Sequence, residues 1–430
     1  MGIHNKLSSI FVTHIQQIAT EVVEKLTEKG FCAYFAGGFV RDLLIKIRAL
    51  DIDIATDALP EEIAAIFPHH VLVGAEFGVC IVLYKGHQFE VTTFRHDISY
   101  EDGRRPSQIK LKSTPEEDAK RRDFTINGMF FDPIGGRILD FIGGQEDLSK
   151  GIVRTIGNPY ARFSEDRLRM IRAVRFAMRF DFSIEEETKE AIKTLAKTLL
   201  PAVSMERIWQ EFCKIRSADR FCEALITMHD LGLLATIFPP LEGLDKKVLE
   251  LRLEGVKEVS HKVPTILILS QLFDIKDLPF VLGLSLYLKA SKTETKWIES
   301  FLEIKTQWQR DPHLTMRYEW TYLLADHRAK ASLELVFCKF QEPEQREFWQ
   351  KIDHFTEDFA SHIDRIHKRK PLCQAKDLEA FGIRPGKKMG ELLRLAEKIA
   401  IEANVSHKEE VLALLTKDPI WFQIAEDVRS

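Results

Sequence analysis

Residues 35–57 read FAGGFVRDLLIKIRALDIDIATD, and this stretch decides the fold. The apolar run 31–36 predicts a strand. It breaks at Gly37-Gly38, a helix is expected through Arg41 and Leu44, and a second strand is expected over 51–56. A strand, a Gly pair and a helix start put backbone N–H groups where they can face a phosphate closely. Side chains alternate across a strand, so Asp51 and Asp53 share one face and Ile52 takes the other. Two carboxylates side by side repel unless a cation sits between them. Mg2+ favours a few carboxylates together with substrate phosphates. The alternative is a Gly turn followed by a solvated acidic strand end. Arg41 upstream and a basic block downstream favour the metal site.

A chain of 430 residues has room for two to four domains with large cores. A hydrophobic content of 45% and a charged content of 29% fit an ordinary soluble protein. The net charge is -4, so there is no global basic signature, and any nucleic-acid binding must use local patches. The six cysteines are scattered without a CxxC pair. That argues against structural zinc and for reduced thiols in a cytoplasmic setting. No stretch is long and apolar enough to span a bilayer.

Residues 5–28 carry Ile10, Phe11, Ile15, Ile18, Val22 and Leu26 at helical spacing, closed by Gly30. Leu59-Pro60-Glu61-Glu62 opens a short helix. His69-His70 lack a third ligand nearby and read as surface histidines. Strands are expected over 71–73, 78–84 and 88–94, the last two joined by a turn at Gly86. Glu90, in FEVTTFR, is a candidate third carboxylate or an exposed strand residue. Residues 97–118 are polar, with Gly103, Arg104-Arg105 and Pro106, and read as a mobile basic loop. It folds over a nucleotide or is a surface excursion. In the block KRRDFTIN (120–127), Arg122 suits phosphate oxygens, and Asp123 or Asn127 suits sugar hydroxyls. A strand pair over 129–132 and 137–141 ends this part before Gly143-Gly144.

Beyond residue 150, helical spacing takes over. Residues 163–180 read FSEDRLRMIRAVRFAMRF. Ser164 is the expected N-cap, with Glu165 and Asp166 in the first turn. Leu168, Ile171, Val174 and Met178 form the expected buried stripe. Asp166, Arg169, Arg172 or Arg175, and Arg179 line the other side. The alternative is a solvated charged face, but four Arg against one Asp repel one another unless a polyanion is present. His229-Asp230 lacks the further spaced His and Asp of a metal hydrolase and reads as a helix end. QEPEQR, from Gln341, reads as a polar linker. The loop 382–388 feeds a helix to about residue 403. With its Lys and Arg it can hold an RNA phosphate, or it is a plain connection.

With these blocks in place, the chain resembles the class II tRNA nucleotidyltransferase and poly(A) polymerase family. The matching blocks are GGFVRD with DIDIAT (37–56), EVTTFR (90–95), DGRRP (102–106), RRDFTING (121–128), EDRLRMIRAVRFA (165–177), ERIWQEF (206–212) and GIRPG (382–386). The segment VGAEFGVCIV (73–82) and the basic loop sit nearer the CCA-adding members than the poly(A) polymerases. The resemblance implies an α+β nucleotidyltransferase palm, a small mixed sheet with helices, over 1–150. An all-α neck (151–215), body (216–340) and RNA-binding tail (341–430) then follow.

The resemblance also implies site roles. Asp51 and Asp53 hold Mg2+. Gly37, Gly38, Arg41 and Arg122 take the triphosphate. Asp166 and Arg169 read the base edges of CTP and ATP, and Arg172 and Arg175 contact the nucleotide. An Asp accepts from an exocyclic amine and an Arg donates to a ring acceptor, which suits cytosine and adenine. The expected activity is template-independent addition of C, C and A to a tRNA 3′ end, with release of pyrophosphate. Poly(A) polymerase, A-only or CC-only addition are the alternatives. A silent RNA-binding protein is a further one, against which the intact Asp51 and Asp53 speak. No membrane and no obligate protein partner is expected.

Overall fold

Gly37 separates β1 (Ala33–Ala36) from helix α2 (Gly38–Leu44) in the computed structural model, which describes residues 13–47, 51–73, 78–100, 106–216 and 220–423. Before it runs α1 (His14–Glu28), started by a Thr13 capping box and burying Ile18, Val22, Val23 and Leu26. After α2 come β2 (Asp53–Thr56), α3 (Pro60–Ile66), β3 (His70–Leu72), β4 (Val79–Tyr84) and β5 (His87–Thr93). The strands β8 (Phe130–Asp132) and β9 (Arg137–Leu139) complete a seven-stranded sheet, ordered β3-β4-β5-β2-β1-β8-β9. It is mixed, as expected: β2 runs parallel to β5 and antiparallel to β1. Ala36, Ala55, Phe94, Ala119 and Phe130 form one of its buried clusters.

The described residues of the expected loop over 97–118 are not a loop. Backbone pairing joins β6 (Arg95–Tyr100) to β7 (Pro106–Leu111) as an antiparallel hairpin outside the main sheet. Thr114 then caps α4 (Pro115–Lys120). The polar composition of 97–118 hid the strand pair, whose register is also irregular between Asp97 and Tyr100. Arg104-Arg105 lie outside the described residues.

A second correction falls at residues 163–180. After α5 (Gly144–Lys150), the helix α6 (Pro159–Glu165) starts at an Asn158 N-cap with Pro159 in its first turn. Asp166 leaves helical geometry at φ -145 and ψ 105, and α7 (Leu168–Phe180) begins beyond it. Ser164 is therefore inside α6, its hydroxyl donating to the Tyr160 carbonyl, and not an N-cap. Of the expected stripe, Leu168, Ile171 and Val174 are buried, while Met178 is only half-buried. A short parallel bridge of Ile152–Val153 with Ser183–Ile184 interrupts the helical region. The helix Met205–Arg216 packs on α7.

The chain divides into two compact units, residues 1–246 and 247–430. All the described strands lie in the first. In the second, one core gathers Trp320, Phe337, Phe348 and Phe355, and another gathers Leu378, Leu392, Val411 and Trp421. QEPEQR is not a linker: it opens the helix Glu342–Asp358, where Pro343 and the acidic first turn favour a start. No helix among the described residues is long and apolar enough to cross a membrane.

Candidate active site

The acidic edge comes first. Asp51 and Asp53 are exposed while Ile52 and Ile54 are buried, the alternation expected of a half-buried strand. Asp53 opens β2 opposite Ala36 of β1. Ile54 pairs with Val91 on the other side, so Asp53 falls beside Glu90. Partial loss of water raises the Asp53 pKa; Arg122 pulls it down and Asp51 raises it further. Partial loss of water also raises Glu90, Asp53 adds to this, and Arg95 opposes it. These carboxylates feel one another, and a cation would relieve them. Among the described residues no three His, Cys, Asp or Glu side chains gather closely enough to hold a metal alone. The donor set fits a hard cation whose shell is completed by substrate oxygens and water.

Gly37 lies at φ +66, a conformation that a side chain disfavours. Its N–H is spent on the Met129 carbonyl at 3.2 Å. A Cβ there would stand 2.9 Å from Nη1 of Arg122. The glycine thus lets a guanidinium lie against the turn.

A chain of charged groups runs from there. Arg41 is only 4% exposed; its Nε donates to Asp42 at 2.8 Å and its Nη1 to Oδ1 of Asn127 at 2.5 Å. Its guanidinium stands 4.4 Å from the Phe180 ring and 5.3 Å from that of Phe176. Nδ2 of Asn127 donates to Asp123 at 3.0 Å. The far oxygen of Asp123 accepts from Arg172 at 2.8 and 2.5 Å. A guanidinium only donates and a carboxylate only accepts, so the Asn127 amide has one orientation. Burial would raise the Asp123 pKa, but Arg172 and the Asn127 bond together bring it down to about 2. Arg121 and Arg122 share Asp118, which is 1% exposed, at 2.7 and 2.9 Å.

Around α7 the outcome is mixed. Asp166 accepts from the Leu168 N–H at 3.1 Å and from Arg207 at 2.9 Å. Arg169 donates to Glu165 at 2.7 Å and to the carbonyls of Arg162 and Arg121 at 3.0 and 3.3 Å. Asp166 precedes the helix, so the shared helical face expected for it and Arg169 is absent. Arg175 is buried against Glu211 at 2.7 Å and stacks on Phe176. The structure thus brings Gly37, Arg41, Arg122, Asp123, Asn127 and Arg172 into one network and sends Arg175 to the neighbouring helix. Sequence reasoning missed Asp42, Asp118, Arg207 and Glu211. Asp118 had a signal: it precedes Arg121 and Arg122 by three and four residues, the spacing of helical ion pairs.

The chain is similar to known proteins over most of its length. The sequence model of the "Poly A polymerase head domain" matches residues 33–154. That of the "Probable RNA and SrmB- binding site of polymerase A" matches residues 181–244. The CCA-adding enzyme of Ligilactobacillus salivarius is 33% identical over 397 residues, covering 92% of this chain and 94% of its own. That of Enterococcus faecalis is 34% identical over 413 residues, covering 93% and 95%. Among solved structures, the Bacillus stearothermophilus CCA-adding enzyme in complex with CTP aligns with a TM-score of 0.74 at 28% identity, over 94% of this chain and 98% of that one. The Thermotoga maritima CCA-adding enzyme complexed with tRNA shares the fold, with a TM-score of 0.65 at 22% identity over 93% and 94%.

Proposed function

The chain belongs to the family of CCA-adding enzymes, and we propose that it adds C, C and A in turn to the 3′ end of tRNA. The substrates are CTP and ATP, no template is used, and pyrophosphate leaves. One observation carries the reading. The Asp53 carboxylate, beside Asp51 at the start of a central strand, feels the guanidinium of Arg122, which donates to the Asn127 carbonyl at 3.4 Å and so joins the network of Arg41, Asn127, Asp123 and Arg172.

The family uses a divalent metal. We take it to be Mg2+, held by Asp51 and Asp53, with Glu90 close enough to tune them. Bound Mg2+ supplies charge neutralisation and Lewis acidity for in-line displacement of pyrophosphate by the RNA 3′-hydroxyl. The protein's own part is placement and fixed charge. Gly37 and Gly38 leave room at the turn, and Arg41 and Arg122 neutralise the triphosphate. Asn127 and Asp123 hold Arg41 and Arg172 apart at set positions. Asp166 and Arg169 face the base, Asp166 accepting from the exocyclic amine that cytosine and adenine share. The neck (151–215), body (216–340) and tail (341–430) carry the tRNA in a cytoplasmic enzyme.

The test is incubation with tRNA lacking its CCA end, giving each nucleoside triphosphate separately and in pairs, and sizing the products. Two additions from CTP alone, then one from ATP, and no further extension is the expected pattern. Long extension with ATP alone would make the chain a poly(A) polymerase. A single type of addition would make it an A-only or CC-only enzyme.

A further inference from the structure

Asp166 sits in the bend between α6 and α7 and is held from two sides. One oxygen accepts from the N–H of Leu168, the first residue of α7, at 3.1 Å. The other accepts from Nη2 of Arg207, on the helix Met205–Arg216, at 2.9 Å. Both side chains are less than a fifth exposed. The remaining terminal nitrogen of Arg207, Nη1, is buried and has no hydrogen-bond partner among the described residues. No rival acceptor there draws the guanidinium away from Asp166. A buried nitrogen left over in this way is completed by a bound group or an ordered water. Neighbouring arginines are engaged elsewhere: Arg167 bonds Thr198, Arg172 bonds Asp123 and Arg175 pairs with Glu211.

We propose that Arg207 is a positioning residue for nucleotide selection, aiming the Asp166 carboxylate at the exocyclic amine of the incoming base. The inference rests on the reading of Asp166 as a base-facing group given above. An ionised carboxylate offers about four lone-pair directions and no donor. The Leu168 N–H and Arg207 occupy two of them, which fixes the plane of the group and leaves the others for a ligand. Cytosine and adenine present an amine there, and uracil and guanine present a carbonyl, which a carboxylate repels. Hydrogen bonds weaken steeply when misaligned, so the selection depends on how firmly the acceptor is aimed. A carboxylate free to rotate would accept an intervening water and tolerate the wrong base. Arg207 therefore governs which base is used far more than how tightly the triphosphate binds.

The experiment compares Arg207→Gln, Arg207→Lys and Asp166→Ala with the parent, measuring kcat/KM for all four nucleoside triphosphates on tRNA lacking its CCA end. Thermal unfolding of each variant is recorded alongside. Arg207→Gln is expected to raise UTP use relative to CTP, and GTP use relative to ATP, by about tenfold. Arg207→Lys, which keeps the charge without the fork, should restore part of the selectivity. Should the Gln variant not fold, the Lys variant carries the same comparison. A purely structural role would lower all four rates together and leave the ratios alone, which overturns the proposal. If Asp166→Ala loses selectivity while both Arg207 variants keep it, Arg207 is not the positioning group and the base-facing role of Asp166 stands. If Asp166→Ala keeps full selectivity, the base-facing role itself fails, and the proposal with it.

Discussion

Arg41 and Asn127 stand 86 residues apart in sequence and are joined by a 2.5 Å hydrogen bond. That bond ties the helix after the Gly pair to the turn Thr125–Asn127, and both side chains are buried. Asn127→Ala would leave a buried guanidinium donor and a carboxylate acceptor each short of a partner. Such a loss costs about 1–3 kcal/mol of stability. Because Arg41 is read as a triphosphate contact, the KM for CTP and for ATP should rise together while the Kd for tRNA stays near that of the parent. Denaturant unfolding and steady-state kinetics check the two halves. Unchanged KM values would remove Asn127 from the nucleotide site.

The Asp123–Arg172 pair makes a prediction about pH. Burial opposes ionisation of Asp123, yet Arg172 and Asn127 hold its pKa at about 2, below the ordinary 3.8. A carboxylate depressed on folding contributes stability above its unfolded pKa and loses it as pH falls towards the folded one. The contribution, about 2 kcal/mol, is present at neutral pH and fades between about pH 4 and pH 2. Asp123→Asn should therefore be less stable than the parent at pH 7, with the gap narrowing below about pH 4. A gap that stays constant from pH 7 to pH 3 in urea titrations would show that the pair is not the cause.

Gly37→Ala tests the turn. The backbone there is left-handed at φ +66, which costs an L-residue about 1 kcal/mol. The new Cβ would also press on Nη1 of Arg122 at 2.9 Å. The side chain is flexible, so it should move away from the turn and not unfold the sheet. Nucleotide KM should rise several-fold with a modest loss of melting temperature. A normal KM would mean that Arg122 does not need to lie against this turn.

What the sequence disclosed follows from periodicity. The strands around Gly37, the 78–94 hairpin and the apolar stripe of α7 were legible because burial repeats at two or at 3.6 residues. The strand pair 95–100 and 106–111 was not, since it holds few apolar residues and its register is irregular between Asp97 and Tyr100. The break at Asp166 was hidden for another reason. Ser164, Glu165 and Asp166 read as the start of one helix, and no residue there signals that a helix already running from Pro159 ends at Glu165. In the site, the functional residue types were legible and their partners were not. Nothing in the sequence says that Arg175 turns to Glu211 or that Asp166 meets Arg207, because those contacts join elements distant in sequence.

Glu90 allows a test that separates metal binding from simple exposure. Partial loss of water raises its pKa, as does the neighbouring Asp53. Removing its charge should relieve repulsion in the metal-free protein, so Glu90→Gln should melt slightly higher than the parent when chelator is present. If Glu90 helps to hold the cation, the stabilisation gained on adding Mg2+ should shrink, since that gain follows the affinity for the ion. Activity should fall and be partly restored by higher Mg2+. A variant with the parent's Mg2+ response would return Glu90 to an exposed strand position.

The last prediction concerns the loop before the helix Lys387–Glu402. Ile383 and Met389 on either side of it are buried in a core with Leu378 and Leu392. Between them, Arg384 and Lys387 are exposed on a short scaffolded turn. Two cations held out from a rigid core suit an RNA backbone, which binds by charge and releases counterions as it does so. Arg384→Ala and Lys387→Ala should each weaken tRNA binding while leaving the CTP-to-UTP preference unchanged. Each lost phosphate contact should also flatten the dependence of log K on log salt by about 0.7–0.9 units. Binding measured across a salt series reads affinity and slope together. If affinity and slope both match the parent in the double variant, the turn is only a connection between helices, and the tRNA grip lies elsewhere on the chain.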